Sequence, residues 1–255
     1  MLGMLQTMVQ PEAVIHALGP KIWIDPRYIP GGNGTLIVTA PDRSGNQYNF
    51  TQGTSTKNPV LVTTASSIPA SMLFDGINDS MSTTSTVALS NTRKITFLCM
   101  HNCTTNTANV AYESSTDSNV QTNAWYFGRN AFAIGQVAFG GASNTNFNLR
   151  YPLAPTSQWI PFIGLYDRSA TDSSSWFDTI RMYQTGTQMP SGSSPSNGSA
   201  LGNFGNYVHY LGMRNNATSP FAGFISTICL FDKRLTLSEI QALDSCVRDI
   251  HGRIV

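Results

Sequence analysis

The chain has 255 residues, of which only 11% are charged, and a formal net charge of +1. Its densest basic points are the pairs Arg93-Lys94 and Lys233-Arg234, which argues against an electrostatic partner such as nucleic acid or an anionic membrane surface. A 41% hydrophobic and 10% aromatic content is enough for a real core and excludes a disordered chain, so Ser, Thr, Asn, Gln and Gly must cover the surface.

Residues 1–19 form a Met/Leu-rich lead-in with a weak helical pattern, in which Pro11 reads as a break or a first-turn residue. The segment lacks a basic n-region, and Gln6, Gln10 and Glu12 interrupt its apolar stretch, so it does not read as a secretion signal. The expectation is a chain that stays where it is made or leaves by lysis. Met1, Leu2, Met4, Leu5, Met8 and Val9 offer adaptable apolar surface, and the segment is expected to be an attachment arm.

After Gly19-Pro20 the texture changes to short apolar or alternating runs. They are KIWID (21–25), TLIVTA (35–40), SMLFDG (71–76), RKITFLCMH (93–101), AWYFGR (124–129), AFAIGQVAF (131–139), WIPFIGLYD (159–167), TIRMYQTG (179–186), YVHYLGMR (207–214) and GFISTICLF (223–231). Strand-sized runs separated by Gly, Asn and Ser predict an all-β sandwich or barrel, here a single domain over 20–255. The Ser/Gly-rich stretch 191–206 has strands on both sides and reads as a loop rather than a linker. No apolar run approaches the ~20 residues of a membrane span.

One segment breaks the β pattern. In LTLSEIQALDSCVRDIHG, Thr236 is placed as N-cap and Glu239 three residues into the helix, a capping box, with Leu235 and Ile240 as hydrophobic staple. Ile240, Leu243, Val247 and Ile250 recur at three- and four-residue steps and form one apolar stripe, Arg248 and His251 lie in the last turn, and Gly252 fits the left-handed stop.

KIWIDP (21–26), DRSGN (42–46), FDGINDSM (74–81) and FAGFISTICLFDKRLTLSEIQAL (221–243) follow one another in an order that resembles the concanavalin A-like, laminin-G-like jelly-roll domains of bacterial and bacteriophage proteins. The resemblance covers roughly residues 20–255. It implies a two-sheet antiparallel jelly-roll sandwich with a C-terminal helix. The segments around 159–167 and 179–186 look like that family's central hairpin, although Thr185 stands where an Asn usually precedes the Gly, which leaves its register open.

The resemblance assigns Asp75 and Asp79 to a loop between strands, where Asp75 accepts backbone N–H groups and Gly76 supplies a positive φ. Calcium at Asp75 and Asp79 is the minority alternative; the further ligands of an EF-hand loop are missing. Hydrolases sharing this fold usually carry Glu-x-Asp-x-x-Glu along one strand, whereas this chain has three glutamates, Glu12, Glu113 and Glu239, none in that pattern. Glu113 could pair with Asp117 as acid and base, but AYESSTD reads as a solvated polar loop.

Cys99, His101 and Cys103 alternate in CMHNC, yet zinc would need a fourth ligand, and core thiols are the plainer reading for these and for Cys229 and Cys246. No cofactor is expected. Exposed aromatics are the remaining signal. Trp125 and Tyr126 follow the Asn-rich loop 115–123, and Trp176 sits near Asp172 and Asp178, an arrangement suited to stacking on sugars and reading their hydroxyls. Trp23 and Trp159 lie in apolar runs and are expected in the core.

Together these features predict a non-enzymatic virion protein, a capsid-decorating, fibre or spike component on a lectin-like fold, partnered by itself or other virion proteins and contacting cell-surface polysaccharide. The alternatives are a carbohydrate-binding module of a secreted or surface protein and, third, a glycan-degrading enzyme.

Overall fold

The computed structural model describes residues 10–63, 68–105, 109–115, 123–129, 136–141, 148–152, 158–169, 180–189, 202–215 and 218–251. The strands fall into two antiparallel sheets. In the first, the order is β14 (Thr187–Gln188), β13 (Ile180–Gln184), β12 (Ile160–Asp167), β7 (Lys94–Cys103), β16 (Ala222–Phe231), β5 (Ser71–Asp75) and β4 (Val60–Val62), with β1 (Ile22–Ile24) also paired to β16. In the second, the order is β11 (Asn148–Pro152), β10 (Gln136–Gly141), β9 (Trp125–Arg129), β8 (Asn109–Ser115), β15 (Val208–Leu211), β6 (Met81–Thr83), β3 (Phe50–Thr51) and β2 (Thr39–Ala40). The expected two-sheet sandwich is present.

Successive strand side chains point to opposite faces, so one strand serves two cores. Phe97 and Cys99 of β7 face the second sheet and pack with Phe50, Met81, Tyr112, Trp125, Phe127 and Leu211. Leu98 and Met100 face away, onto a second apolar layer formed by two helices, α1 (Pro11–Leu18) and α2 (Leu237–Ile250). The helices therefore cover the outer face of the first sheet. This explains why β7 and β16 read as continuous apolar runs rather than as alternating ones.

The signals at α2 act as expected. Thr236 Oγ1 accepts from Glu239 N–H at 3.3 Å, and Glu239 Oε2 accepts from Thr236 N–H at 2.7 Å. Ile240, Leu243 and Val247 are fully buried. Pro11 opens α1 at its first turn, and Ile15 and Leu18 pack into the layer shared with α2. The second half of the segment 1–19 is thus built into the domain, while Leu2, Met4, Leu5, Met8 and Val9 lie outside the described residues.

DRSGN and FDGIND both knot the chain through carboxylates. Asp42 accepts from the N–H groups of Trp23, Ser44 and Tyr48 at 2.9, 2.9 and 3.0 Å, tying β1 to the following turn. Asp75 Oδ1 accepts from Ile77, Asn78 and Asp79 N–H at 2.7, 3.1 and 3.3 Å. Gly76 has φ +75°, and a Cβ there would come within 2.6 Å of the Ala222 side chain, so both backbone and space require glycine.

Two expectations need correction. TLIVTA pairs as a strand only at Thr39–Ala40; Leu36 and Val38 are exposed, and Leu36 makes an isolated bridge to Val60. The stretch 111–117 is expected to be a solvated polar loop; its residues through Ser115 belong instead to the wholly buried strand β8, in the middle of the second sheet, and the last two lie outside the described residues. The hairpin whose register the sequence left open pairs Gln184 with Thr187, and both turn residues have positive φ, Thr185 at 52° and Gly186 at 69°. This is the backbone pattern of a two-residue primed turn.

Candidate functional site on the second sheet

Both described helices pack on the first sheet, and among the described residues no helix covers the outer face of the second. Strand register lines up Thr39, Thr51, Ser82, Tyr210, Glu113 and Tyr126 as one row across five neighbouring pairings. Hydroxyls occupy the β2–β6 end of the row. At its β15–β9 end Glu113 lies between two tyrosines.

Glu113 is fully buried, and it meets Arg214, whose Nε donates to Glu113 Oε1 at 3.1 Å. The arginine side chain is 24% exposed, and its guanidinium carbon lies 6.0 Å from the Tyr126 ring centroid. Arg214 is carried on a short hairpin held by reciprocal backbone bonds, Arg214 N–H to Thr218 O at 2.8 Å and Thr218 N–H to Arg214 O at 3.2 Å. That hairpin leaves β15 at Gly212, where φ is +76° and a Cβ would come within 2.1 Å of the Phe74 ring.

Burial pushes the Glu113 carboxyl above the usual carboxylate range, while the charge and hydrogen bond of Arg214 oppose that rise. Glu113 Oε2 has no aligned donor among the described residues, although the Asn215 N–H and the Ser115 hydroxyl also favour the charged form. The two Nη groups of Arg214 have no hydrogen-bond partner among the described residues. The arrangement is a guanidinium fixed through one edge by a buried carboxylate, its other edge turned to solvent beside a half-buried phenol. Such a fork binds hydroxyl or carboxylate oxygens, and the adjacent ring offers a stacking face.

Of the residues expected to contact a sugar the site contains only Tyr126, and it also holds Glu113, which the sequence offered as a possible acid–base partner of Asp117. Trp125, the neighbour of Tyr126, points the other way. It is completely buried and stacks on Tyr112, with ring centroids 5.1 Å apart, so it cannot meet a sugar. Period-2 alternation demands this, since adjacent residues of one strand face opposite sides. Trp176 and Asp172 lie outside the described residues, as does Asp117. Trp23 and Trp159 are buried as expected.

Asp75 and Asp79 spend three and one backbone acceptor contacts respectively on their own loop, the turn reading rather than an ion cage. Asp79 is 7% exposed, and its burial raises its pKa to about 6. Cys99, His101 and Cys103 share a face, but His101 packs edge-on against Phe127, Phe162 and Phe221 in the core. Among the described residues no group of three or more His, Cys, Asp or Glu is placed to hold a metal.

Two further groups lie beneath the site. The Tyr112 hydroxyl sits 2.5 Å from His209 Nδ1, and burial lowers the His209 pKa to about 3, so the imidazole stays neutral in the interior.

No family model matches the sequence, and no curated protein matches it either. Solved structures do. The native heptameric SAP-like pentraxin of Limulus polyphemus superimposes with a TM-score of 0.50 at 13% identity, covering 68% of this chain and 81% of that one. Botulinum neurotoxin type C, whose cell entry depends upon interaction with two ganglioside molecules, matches at TM-score 0.58 and 12% identity over 92% of this chain and 52% of its own. Trypanosoma rangeli sialidase, in complex with sialic acid, matches at TM-score 0.58 and 11% identity over 90% of this chain. The chain has a two-sheet antiparallel jelly-roll fold of the concanavalin A-like kind. It spans about a third of the sialidase chain and about half of the toxin chain, and at these identities the likeness is one of fold.

Proposed function

We propose that this protein is a non-enzymatic glycan-binding module that meets its ligand on the outer face of the second sheet. The observation that carries this reading is Arg214, anchored by buried Glu113 and set beside Tyr126 with its Nη groups directed to solvent. Sugar recognition by proteins combines a ring to stack on with a few fixed hydrogen-bond donors, and the Tyr126–Arg214 pair supplies both. Tyr210, Ser82, Thr51 and Thr39 extend the same row, long enough for more than one sugar unit. Among the described residues Glu113 is the only carboxylate of the row, and acid–base hydrolysis of a glycoside calls for two, ~5–9 Å apart. The lectin-like structures that superimpose on the chain, one of them from a toxin that interacts with gangliosides, add support at the level of fold. A glycan array tests the reading: binding abolished by Tyr126→Ala and Arg214→Ala in folded protein is expected, and binding unaffected by both overturns it.

We further propose that the module is a component of a virus particle, a decorating, fibre or spike element associated with itself or with other virion proteins. The low charge and the apolar stretch Leu2, Met4, Leu5, Met8 and Val9, preceding a helix that is itself docked, support this. Detection of the chain in purified particles, lost on deleting residues 1–9, is the test. Its presence only as a secreted or cell-surface protein favours the alternative.

A further inference from the structure

The row from Thr39 to Tyr126 has a regular interval as well as a composition. Neighbouring strands of a sheet lie ~4.8 Å apart, and residues paired directly across them point to one face. Tyr126 and Tyr210 both pair with Glu113, so two strand intervals, roughly 9–10 Å, separate them. Thr51 stands two further intervals along the row from Tyr210, with Ser82 between them. Tyr126, Tyr210, Ser82 and Thr51 are half-buried and Thr39 is exposed, so solvent reaches the row on both sides of Glu113. Glu113 itself is buried, and the group beside it that solvent reaches is the Arg214 guanidinium. Among the described residues no protein group bonds the hydroxyls of Thr39, Thr51 and Ser82.

We propose, on the glycan-binding reading above, that the ligand is an extended, ribbon-like polysaccharide, a β-1,4-linked pyranose chain lying across the strands. Alternate units of such a chain turn the same face to one side, at an interval of one disaccharide, close to two strand spacings. Tyr126 and Tyr210 then stack on alternate units. The unit between them lies over Arg214, whose Nη groups meet its hydroxyls. Beyond Tyr210 the hydroxyls of Ser82, Thr51 and Thr39 exchange hydrogen bonds with the next units. The charges of Glu113 and Arg214 offset one another, which suits a neutral chain.

The shape of the face narrows the ligand further. An α-1,4-linked chain coils and leaves a straight row after touching one ring. The sheet twists by roughly 20–25° per strand, so a ligand that follows the row must twist with it. A single soluble chain does so, and the flat face of a crystalline polymer does not.

The test is calorimetric titration of the full chain with cellohexaose, mannohexaose and chitohexaose, with their disaccharides, and with maltohexaose as the coiled control. At least one β-1,4-linked hexasaccharide is expected to bind about tenfold tighter than its disaccharide, and maltohexaose is expected not to bind. Tyr210→Ala should weaken the hexasaccharide about tenfold, and Tyr210→Phe, which keeps the ring, should change it little. Thr51→Tyr places a third ring at the same two-strand interval; it should tighten the hexasaccharide several-fold and leave the disaccharide unchanged, a gain that misfolding does not imitate. Equal affinity for disaccharide and hexasaccharide, or no effect of Tyr210→Ala where Tyr126→Ala abolishes binding, overturns the extended chain and leaves a single-sugar site. No binding of any of the three hexasaccharides, tighter binding of maltohexaose, or a dimer of the free protein that Tyr210→Ala dissociates overturns it as well. The underlying glycan-binding reading is decided separately, by the array with Tyr126→Ala and Arg214→Ala.

Discussion

Glu113 and Arg214 lie 101 residues apart in the chain, and the arginine Nε rests 3.1 Å from the carboxylate of the buried glutamate. Removing either partner has unequal consequences. Arg214→Ala strands a buried acid, a change that commonly costs about 3–5 kcal/mol. Glu113→Gln keeps the shape, leaves the guanidinium unanchored and should mainly weaken glycan binding. The Glu113 pKa is already raised, so its protonated form is the one favoured by folding. Its unfavourable contribution is absent below the ordinary carboxylate pKa and grows as pH rises through the folded value. Without Arg214 that rise is larger. Urea unfolding should therefore show a penalty for Arg214→Ala that is much greater at pH 7.5 than at pH 4.5.

Adjacent aromatics on β9 should behave as opposites. Trp125→Ala opens the inter-sheet core and should destabilise by about 3–5 kcal/mol, with any loss of binding following from unfolding. Tyr126→Ala should change the melting temperature little and abolish binding. Equal melting temperatures for the two variants would contradict the burial described.

Acid should unfold the protein through two histidines. Burial lowers His209 to about 3 and His251 to about 4, and Thr227 holds His251 Nε2 at 2.7 Å. As pH falls below the ordinary histidine value, the unfolded chain takes up protons that the folded chain refuses. Stability is lost by about 1.4 kcal/mol per pH unit for each histidine between ~6.5 and those lower values. His209→Gln should remove one of these two contributions and so reduce the loss of stability measured by chemical unfolding between pH 6 and 4.5.

The FDGIND loop has its own signature. Asp75→Ala orphans three backbone N–H groups and should cost about 1–3 kcal/mol. Asp79, with its pKa raised to about 6, weakens the fold progressively as pH rises from the ordinary carboxylate value of about 4 to about 6, and no further above that. Asp79→Asn should therefore raise the melting temperature at pH 8, and by about half as much at pH 5. With its carboxylates committed to turn hydrogen bonds, EDTA should not shift the melting temperature; a clear drop would point to a bound cation.

Truncations separate the two halves of the leading segment. Deleting residues 1–9 should leave the melting temperature intact and, on the virion reading, prevent incorporation into particles. Deleting 1–19 also strips Ile15 and Leu18 from α2, burial that contributes about 3–6 kcal/mol, and the sandwich should melt well below the full chain.

Much of this fold was legible in the residues. Long apolar runs such as 93–101 and 223–231 became the central strands β7 and β16, and Thr236 and Glu239 marked the start of α2. Strands of two or three residues, such as β3 and β6, carry too few positions for periodicity to show. The site was less readable, for two reasons. Asn109–Ser115 is polar enough to pass for a loop, yet it lies inside a sheet, where Arg214 from a distant hairpin compensates its glutamate. In AWYFGR the alternation did hold the answer, since only one of Trp125 and Tyr126 can face outward.

The position of β16 bears on how the protein is made. It lies between β7 and β5 at the centre of the first sheet, and its residue Leu230 pairs with Ile22 of β1. During synthesis the N-terminal strand leaves the ribosome almost a full chain length before its partner exists, and α1 waits still longer for α2. Until β16 is released, the three strands that pair with it, β7, β5 and β1, lack their common partner. A ribosome stalled anywhere before β16 thus displays a sticky, unfinished polypeptide, and this strand is the keystone that lets the separate pieces of the sheet close at once.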